Sequence, residues 1–316
     1  GEEGKGYIQC AQRKGNQLVA NGLDYSGQFS TVVGPGGSQS DVFRIVGLPL
    51  VEATLKGHRA CLFSYGQTGA GKTFSMYGAE GGRNPSKLDG VVPSICAEFF
   101  RRKQEIEKKG EHRLALSVTL FEVQGSIVAD LLAEPEMVEG VEQQPSLKMR
   151  GGEVLESKKE LIYSSRGLTQ CIERGMSRRK TERNYFHENS SRSHAFLTMT
   201  IATHSAKGVK RDKPMEELED ADAEGFTTIT LVDLAGSEKF DTESKKEGRN
   251  IHEGLLALGK VLTAVREGHS HVPYRDSTTT MLLKEALGEN CVTMVLCCLN
   301  PGMDQYTETR NVLEYV

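Results

Sequence analysis

The sequence predicts an α/β fold, with a central mixed, mostly parallel β-sheet flanked by helices on both faces. Three observations carry that reading. Residues 60–64 are a short apolar run that leads directly into Gly66-Gln-Thr-Gly-Ala-Gly71-Lys72-Thr73, the pattern G-x-x-x-x-G-K-T. Residues 227–232 are a second apolar run and end in Asp233-Leu-Ala-Gly236-Ser-Glu238. Strand-like runs alternate with helical patterns along the rest of the chain, which places helices over both faces of a sheet.

The elements follow in order. Strands are expected at 60–64, 114–123, 195–204, 227–232 and 292–299, and helices at 41–55, 72–76, 93–109, 165–178, 251–267 and 279–287. Leu255, Leu258, Val261, Leu262 and Val265 recur at helical spacing, so one face of the 251–267 helix is core. Cys297 and Cys298 fall inside the apolar run 292–299, read as a buried strand. The acidic stretch Met215–Glu224 lies between two strands and reads as a long hairpin tip. The basic Lys245-Lys-Glu-Gly-Arg249 precedes a helix, and both charge runs suit a solvated surface. With no internal repeat and no long linker, residues 1–316 read as a single domain.

Composition narrows the classes. A 37% apolar and 26% charged chain suits a soluble globular protein. A net charge of −4 gives no basic field for nucleic acid. No apolar run approaches the roughly 18–20 residues of a membrane helix. No secretory signal opens the chain, and its start at Gly1 rather than Met reads as an excised fragment. The seven cysteines, Cys10, Cys61, Cys96, Cys171, Cys291, Cys297 and Cys298, include no C-x-x-C pair, so free thiols in a reducing cytosol are expected rather than disulfides or zinc.

The glycine-rich loop has a specific physical reading. Glycines permit φ > 0, so successive backbone N–H groups can curl around a triphosphate. The helix that follows turns its positive end to the same anion. This is the P-loop NTPase arrangement. Gly66, Gln67, Thr68, Gly69, Ala70, Gly71, Lys72 and Thr73 form the cradle; Lys72 reaches the β- and γ-phosphates and Thr73 turns its hydroxyl to Mg²⁺. Asp233, at a strand end three residues before Gly236, suits a carboxylate on the Mg²⁺ shell, with the Gly236 N–H near the γ-phosphate. Asn189-Ser190-Ser191-Arg192-Ser193-His194 precedes another strand, and its hydroxyls can complete the shell and position water.

These three segments, in this order, resemble the kinesin motor domain. They look like that family's phosphate loop, first switch and second switch. Gly90-Val-Val-Pro93, Phe121-Glu122, Asp130-Leu-Leu132, Leu255-Leu-Ala-Leu258, His271-Val-Pro-Tyr-Arg-Asp-Ser277 and Glu308-Thr309 are similar to further family landmarks, so the resemblance runs from about Phe29 to Val316. It implies an ATP-hydrolysing microtubule motor with Mg²⁺ as cofactor, associated with the cytoplasmic cytoskeleton. Ser190 and Ser191 would sit at the γ-phosphate, with Ser191 on the Mg²⁺ shell. Asp233 would hold Mg²⁺ through water, and Gly236 would sense the γ-phosphate. Arg192 and Glu238 would pair when both switches close. Phe74 stands where the family often stacks histidine on adenine. The helix after the second switch would carry the change to the track-binding face. Any dimer would form through a coiled coil outside these residues.

The sequence also departs from the family. The R-x-R-P base-binding strand is missing from the start, and the neck segment is missing from the end. His187 stands at the family's asparagine, Ile251-His-Glu-Gly-Leu255 replaces I-N-x-S-L, and Glu122-Val-Gln-Gly-Ser126 replaces E-I-Y-N-E. Tyr274-Arg-Asp-Ser-Thr-Thr-Thr-Met281 replaces Y-R-D-S-K-L-T-R, losing basic groups at Thr278 and Met281. Arg150, Lys239, Lys245, Lys246, Arg249 and Arg275 remain as basic candidates for the acidic microtubule. The expectation is ATP binding with weakened or re-specified microtubule binding. The alternative is a kinesin-fold scaffold that holds nucleotide with little motility. A GTPase or small-molecule kinase has little support, since no guanine-reading N-K-x-D follows the switches.

Overall fold

The computed structural model describes residues 8–11, 17–20, 23–25, 28–79, 90–138, 141–181, 193–205, 223–238, 247–288 and 290–315. Ser190, Ser191, Arg192, Lys239, Lys245 and Lys246, His187, and the acidic tip 215–222 lie outside the described residues.

The strands are β1 (Ile8–Ala11), β2 (Gln17–Ala20), β3 (Leu23–Asp24), β4 (Arg59–Tyr65), β5 (His112–Gln124), β6 (Ile127–Asp130), β7 (Glu136–Val138), β8 (Val141–Gln143), β9 (Lys148–Arg150), β10 (Glu153–Leu155), β11 (Glu160–Ile162), β12 (His194–Ser205), β13 (Gly225–Asp233) and β14 (Cys291–Cys297). The helices are α1 (Gln39–Val42), α2 (Leu48–Leu55), α3 (Lys72–Tyr77), α4 (Val91–Lys109), α5 (Ser165–Thr181), α6 (Glu247–Arg266), α7 (Thr278–Leu282) and α8 (Tyr306–Tyr315).

Among the described residues, the central sheet has seven strands in the order β11-β5-β12-β13-β4-β14, with β6 also on β5. It is mixed, as expected, but the balance is corrected. Only β13, β4 and β14 run parallel. β13, β12 and β5 are antiparallel neighbours, as are β5 and its partners β6 and β11. The reason is connectivity: parallel strands need a crossover, whereas β12 and β13 follow one another in the chain and pair directly as antiparallel neighbours.

Side-chain alternation sorts the core into two layers. Leu62 of β4, Leu116, Val118 and Leu120 of β5, Leu197 and Met199 of β12, and Leu231 of β13 pack with α2, α4 and α5. The intervening Phe63, Phe121, Val123, Phe196 and Val232 face α6 and α8. Phe121 and Phe196 are register partners, and their rings stack at 5.3 Å between centroids. Leu255, Leu258 and Val261 are buried in this second layer, the stripe expected for α6, while Val265 is exposed.

Element limits differ in instructive ways. The expected 41–55 helix begins earlier, because Ser38 caps it and Asp41 returns the bond to the Ser38 N–H. Its middle, Phe43–Gly47, is π-helical immediately before Pro49, whose missing N–H and bulky ring disrupt regular i→i+4 bonding. α7 ends at Leu282, five residues short of the expected limit. β14 is half-buried along its length rather than a buried strand, since among the described residues it pairs only with β4 and forms the sheet edge.

Candidate nucleotide site

The site is assembled where two adjacent parallel strands end. Asp233 and Ser64 are register partners on β13 and β4, so both post-strand loops emerge side by side. Gly69 and Gly71 adopt φ of 78° and 91°, and Gly71 starts α3 from the left-handed region. These values let the chain reverse tightly and turn backbone N–H groups toward a bound anion.

Lys72 is only 8% exposed, and its ammonium donates to the Gly66 carbonyl at 2.8 Å and the Gln67 carbonyl at 2.9 Å. Burial pulls its pKa down, against the opposing charges of Asp233 and Glu238. Thr73 Oγ1 donates to Asp233 Oδ2 at 2.9 Å, while Ser64 Oγ donates to Asp233 Oδ1 at 3.2 Å. Thr73 and Asp233 are hard oxygen donors already side by side, which fits Mg²⁺. The Thr73 proton is held by the carboxylate, leaving the hydroxyl lone pairs for a cation.

The second switch reaches back onto the phosphate loop. Glu238 Oε2 accepts from the Thr68 N–H at 2.8 Å, and Thr68 Oγ1 donates to the other carboxylate oxygen. The Ser237 N–H donates to the Gly66 carbonyl at 3.1 Å. Gly236 lies so close that an added Cβ would stand 2.3 Å from Thr68 Oγ1 and 2.4 Å from both Glu238 oxygens. Glu238 thus occupies a loop N–H through its carboxylate, and its expected partner Arg192 is outside the described residues.

Phe74 sits on α3 with its side chain 46% exposed, available as a flat apolar surface. Its carbonyl accepts from Gln39 Nε2 at 2.8 Å, which ties α1 to the start of α3. Gln67 is buried; its Nε2 donates to Gln305 Oε1 at 2.7 Å and its Oε1 accepts from Thr309 Oγ1 at 3.3 Å. Thr309 therefore links the phosphate loop to α8. The Asp130-Leu-Leu132 landmark is structural: Asp130 accepts from the N–H groups of Leu132, Ala133 and Lys158.

Sequence reasoning missed Arg179. It is 2% exposed and donates to Glu122 at 3.0 Å, to Asp233 at 3.3 Å and to the Ser193 carbonyl at 2.8 Å. The expected helix ends at Arg178, one residue short of Arg179 and three short of the observed end at Thr181. A usable signal existed: Leu168, Cys171, Ile172 and Gly175 set the buried face of α5, and Arg179 continues it one turn on.

His194, also buried, accepts from the Ala235 N–H through Nδ1 at 2.9 Å, joining the first strand residue of β12 to the second switch. Burial first, then the charges of Arg179 and Lys72, push its pKa down to about 3. The folded state therefore binds fewer protons than the unfolded chain, so stability falls as pH drops below the unfolded histidine value and continues to fall to about 3. The limiting slope from this group is about 1.4 kcal/mol per pH unit. Replacing His194 with glutamine should flatten that limb in urea melts between pH 4 and pH 6; an unchanged slope would show that other groups dominate it.

Of the basic candidates, Arg150 and Arg275 are exposed on β9 and on the 3₁₀ turn Tyr274–Asp276. Arg249 lies in the first turn of α6, which begins at Glu247, four residues earlier than expected. The β9–β10 turn abuts α7, since a Cβ at Gly152 would stand 2.8 Å from the Met281 carbonyl. Lys260 of α6 is 3.9 Å from Asp276. The hairpin, α7, the 3₁₀ turn and α6 are thus linked on one side of the molecule. Among the described residues no helix is long and apolar enough to cross a membrane.

Comparisons with known proteins agree with this geometry. The kinesin motor domain family model matches residues 8–316. The chain is 31% identical over 330 residues to Kinesin-like protein KIN-5A of Oryza sativa subsp. japonica, covering 98% of this chain and 30% of that protein. It is 32% identical over 311 residues to human Chromosome-associated kinesin KIF4A, covering 95% of this chain and 24% of that protein. The chain thus spans about a quarter to a third of the length of these relatives. A solved structure described as "Structure of a fast kinesin: Implications for ATPase mechanism and interactions with microtubules" superposes with a TM-score of 0.82 at 25% identity, covering 99% of this chain and 84% of that one. With its phosphate loop and second switch in contact on a mixed sheet, the chain belongs to the kinesin motor-domain family.

Proposed function

We propose that this chain is an Mg²⁺-dependent ATPase that couples nucleotide state to microtubule binding. The observation that carries the reading is the double contact of Glu238 with Thr68, which fastens the second switch to the phosphate loop. Bound ATP would supply the phosphoryl group, and Mg²⁺ would neutralise its charge. The rest falls to the chain's own residues. Lys72 and the loop N–H groups hold the phosphates. Thr73 and Ser191 would hold the cation, with Asp233 reaching it through water. Ser190 and Gly236 would serve the γ-phosphate, and Arg192 would pair with Glu238 once both switches close. Phe74 offers its exposed ring to the adenine.

Entry of a phosphate at the loop competes with the Glu238 carboxylate for the Thr68 N–H. Release of Glu238 frees the segment that leads into α6, and α6 carries the change to its exposed side. Positioning and charge stabilisation supply most of the catalysis of such a transfer.

The microtubule would meet the side formed by α6, α7, the 3₁₀ turn and the β9–β10 hairpin. Arg150 and Arg275 are exposed basic groups on that side; Lys239, Lys245, Lys246 and Arg249 are proposed to join them as contacts to the acidic track. On the outer face of α6, Glu253, Leu256, Lys260 and Arg266 are exposed, and with Asp276 beside Lys260 the charges balance. We therefore expect weak affinity with a shallow salt dependence, because few counterion-type contacts are screened. Co-sedimentation with polymerised tubulin at rising salt tests this. Affinity and salt slope equal to those of a conventional motor would overturn it. The same balance favours a second reading, a nucleotide-holding scaffold on a microtubule assembly.

A further inference from the structure

The buried guanidinium of Arg179 faces four acceptor atoms from three residues, two of them on strands and one just before a third. Its Nε reaches Glu122 Oε1 at 3.0 Å, Nη1 reaches Asp233 Oδ2 at 3.3 Å, and Nη2 reaches the Ser193 carbonyl at 2.8 Å and Ser193 Oγ at 3.3 Å. Ser193 Oγ also donates to Glu122 Oε1, which closes a small ring around the cation. Glu122 comes from β5, Ser193 immediately precedes β12, and Asp233 ends β13. Ser193 is the fourth residue of the Ser190-Ser191-Arg192-Ser193 run, and Asp233 opens the second switch. One side chain therefore anchors the bases of both switches.

We propose that Arg179 is a positioning residue that sets Asp233 and the Ser193 end of the first switch in one register for metal-dependent nucleotide binding. The proposal rests on the reading of Thr73 and Asp233 as the cation-holding pair. Arg179 acts through Asp233, whose Oδ2 it shares with the Thr73 hydroxyl. With the carboxylate pinned, Thr73 keeps its proton directed inward and its lone pairs outward. The other nearby ammonium, Lys72, is spent on the Gly66 and Gln67 carbonyls. A carboxylate as buried as Asp233 needs a directly bonded cation, and only the planar fork of arginine serves Asp233, Glu122 and Ser193 together. Tyr77, whose buried hydroxyl has no hydrogen-bond partner among the described residues, lies close enough to feel the charges of both Asp233 and Arg179.

Binding of a fluorescent ADP analogue, titrated with free Mg²⁺ and repeated in EDTA, tests the proposal on Arg179→Lys. We expect the half-saturating Mg²⁺ concentration to rise at least about tenfold, while affinity in EDTA stays within about twofold. If that variant does not fold, Arg179→Gln with Glu122→Gln removes the ion pair while leaving a neutral amide donor for Asp233 or Ser193, and the same shift is expected. A folded variant with the wild-type Mg²⁺ dependence would overturn the proposal while leaving the nucleotide site intact. A wild-type chain with no Mg²⁺-dependent nucleotide binding would overturn the reading of the site, and the proposal with it.

Discussion

Replacing Lys72 with methionine should lower ATP turnover by roughly a thousandfold, equivalent to about 4 kcal/mol of transition-state stabilisation. Lys72 is the cation of the phosphate loop, and its ammonium sits in a nearly closed pocket where charge is poorly screened. Methionine has a similar length and keeps the packing of the stem, so the loss isolates the charge. Arginine should not rescue, because its planar fork cannot take the place of a compact ammonium between the Gly66 and Gln67 carbonyls. Single-turnover hydrolysis measures the effect, and a thermal melt checks that the fold is intact. A folded Lys72→Met variant within tenfold of wild type would show that the chemistry lies elsewhere.

Gly236→Ala should separate binding from turnover. The new methyl group would fall 2.3 Å from Thr68 Oγ1 and 2.4 Å from the Glu238 carboxylate oxygens, closer than atoms approach without movement. The second switch must back away from the loop, and the Gly236 N–H moves with it. We expect turnover to fall by about a hundredfold, the order seen when one positioned donor is lost, with nucleotide affinity held within a few-fold. Glu238→Ala is the companion test: without the carboxylate, any tubulin-stimulated component should vanish while basal nucleotide binding persists. Loss of nucleotide binding in both variants would mean that the switch builds the pocket rather than reading it.

The glycine-rich loop and the strand that ends at Asp233 were legible because their residues are fixed by local chemistry. Glycines at positive φ, a lysine and a threonine opening a helix, and an aspartate at a strand end leave a mark in any sequence. Helices over both faces were legible from the alternation of strand-like and helical patterns, whereas the sorting of β5, β12 and β13 side chains into two layers emerges only from the structure. Arg179 was hidden because its partners lie 14, 54 and 57 residues away, and no local pattern brings them together. The antiparallel majority of the sheet was hidden because an apolar run carries no direction. β14 looked like a buried strand because its composition is that of one; its half-buried state depends on the edge it occupies. The small hairpins β7–β8 and β9–β10 were missed because three-residue strands carry too short a periodicity to read.

The most direct test of the central claim is the steady-state ATP turnover of this chain, with and without polymerised tubulin. Stimulation of tenfold or more, lost in Glu238→Ala, is the result expected of a motor whose second switch links the phosphate loop to α6. A flat response to tubulin, with nucleotide still bound tightly, would contradict that coupling and assign the chain to the nucleotide-holding scaffold.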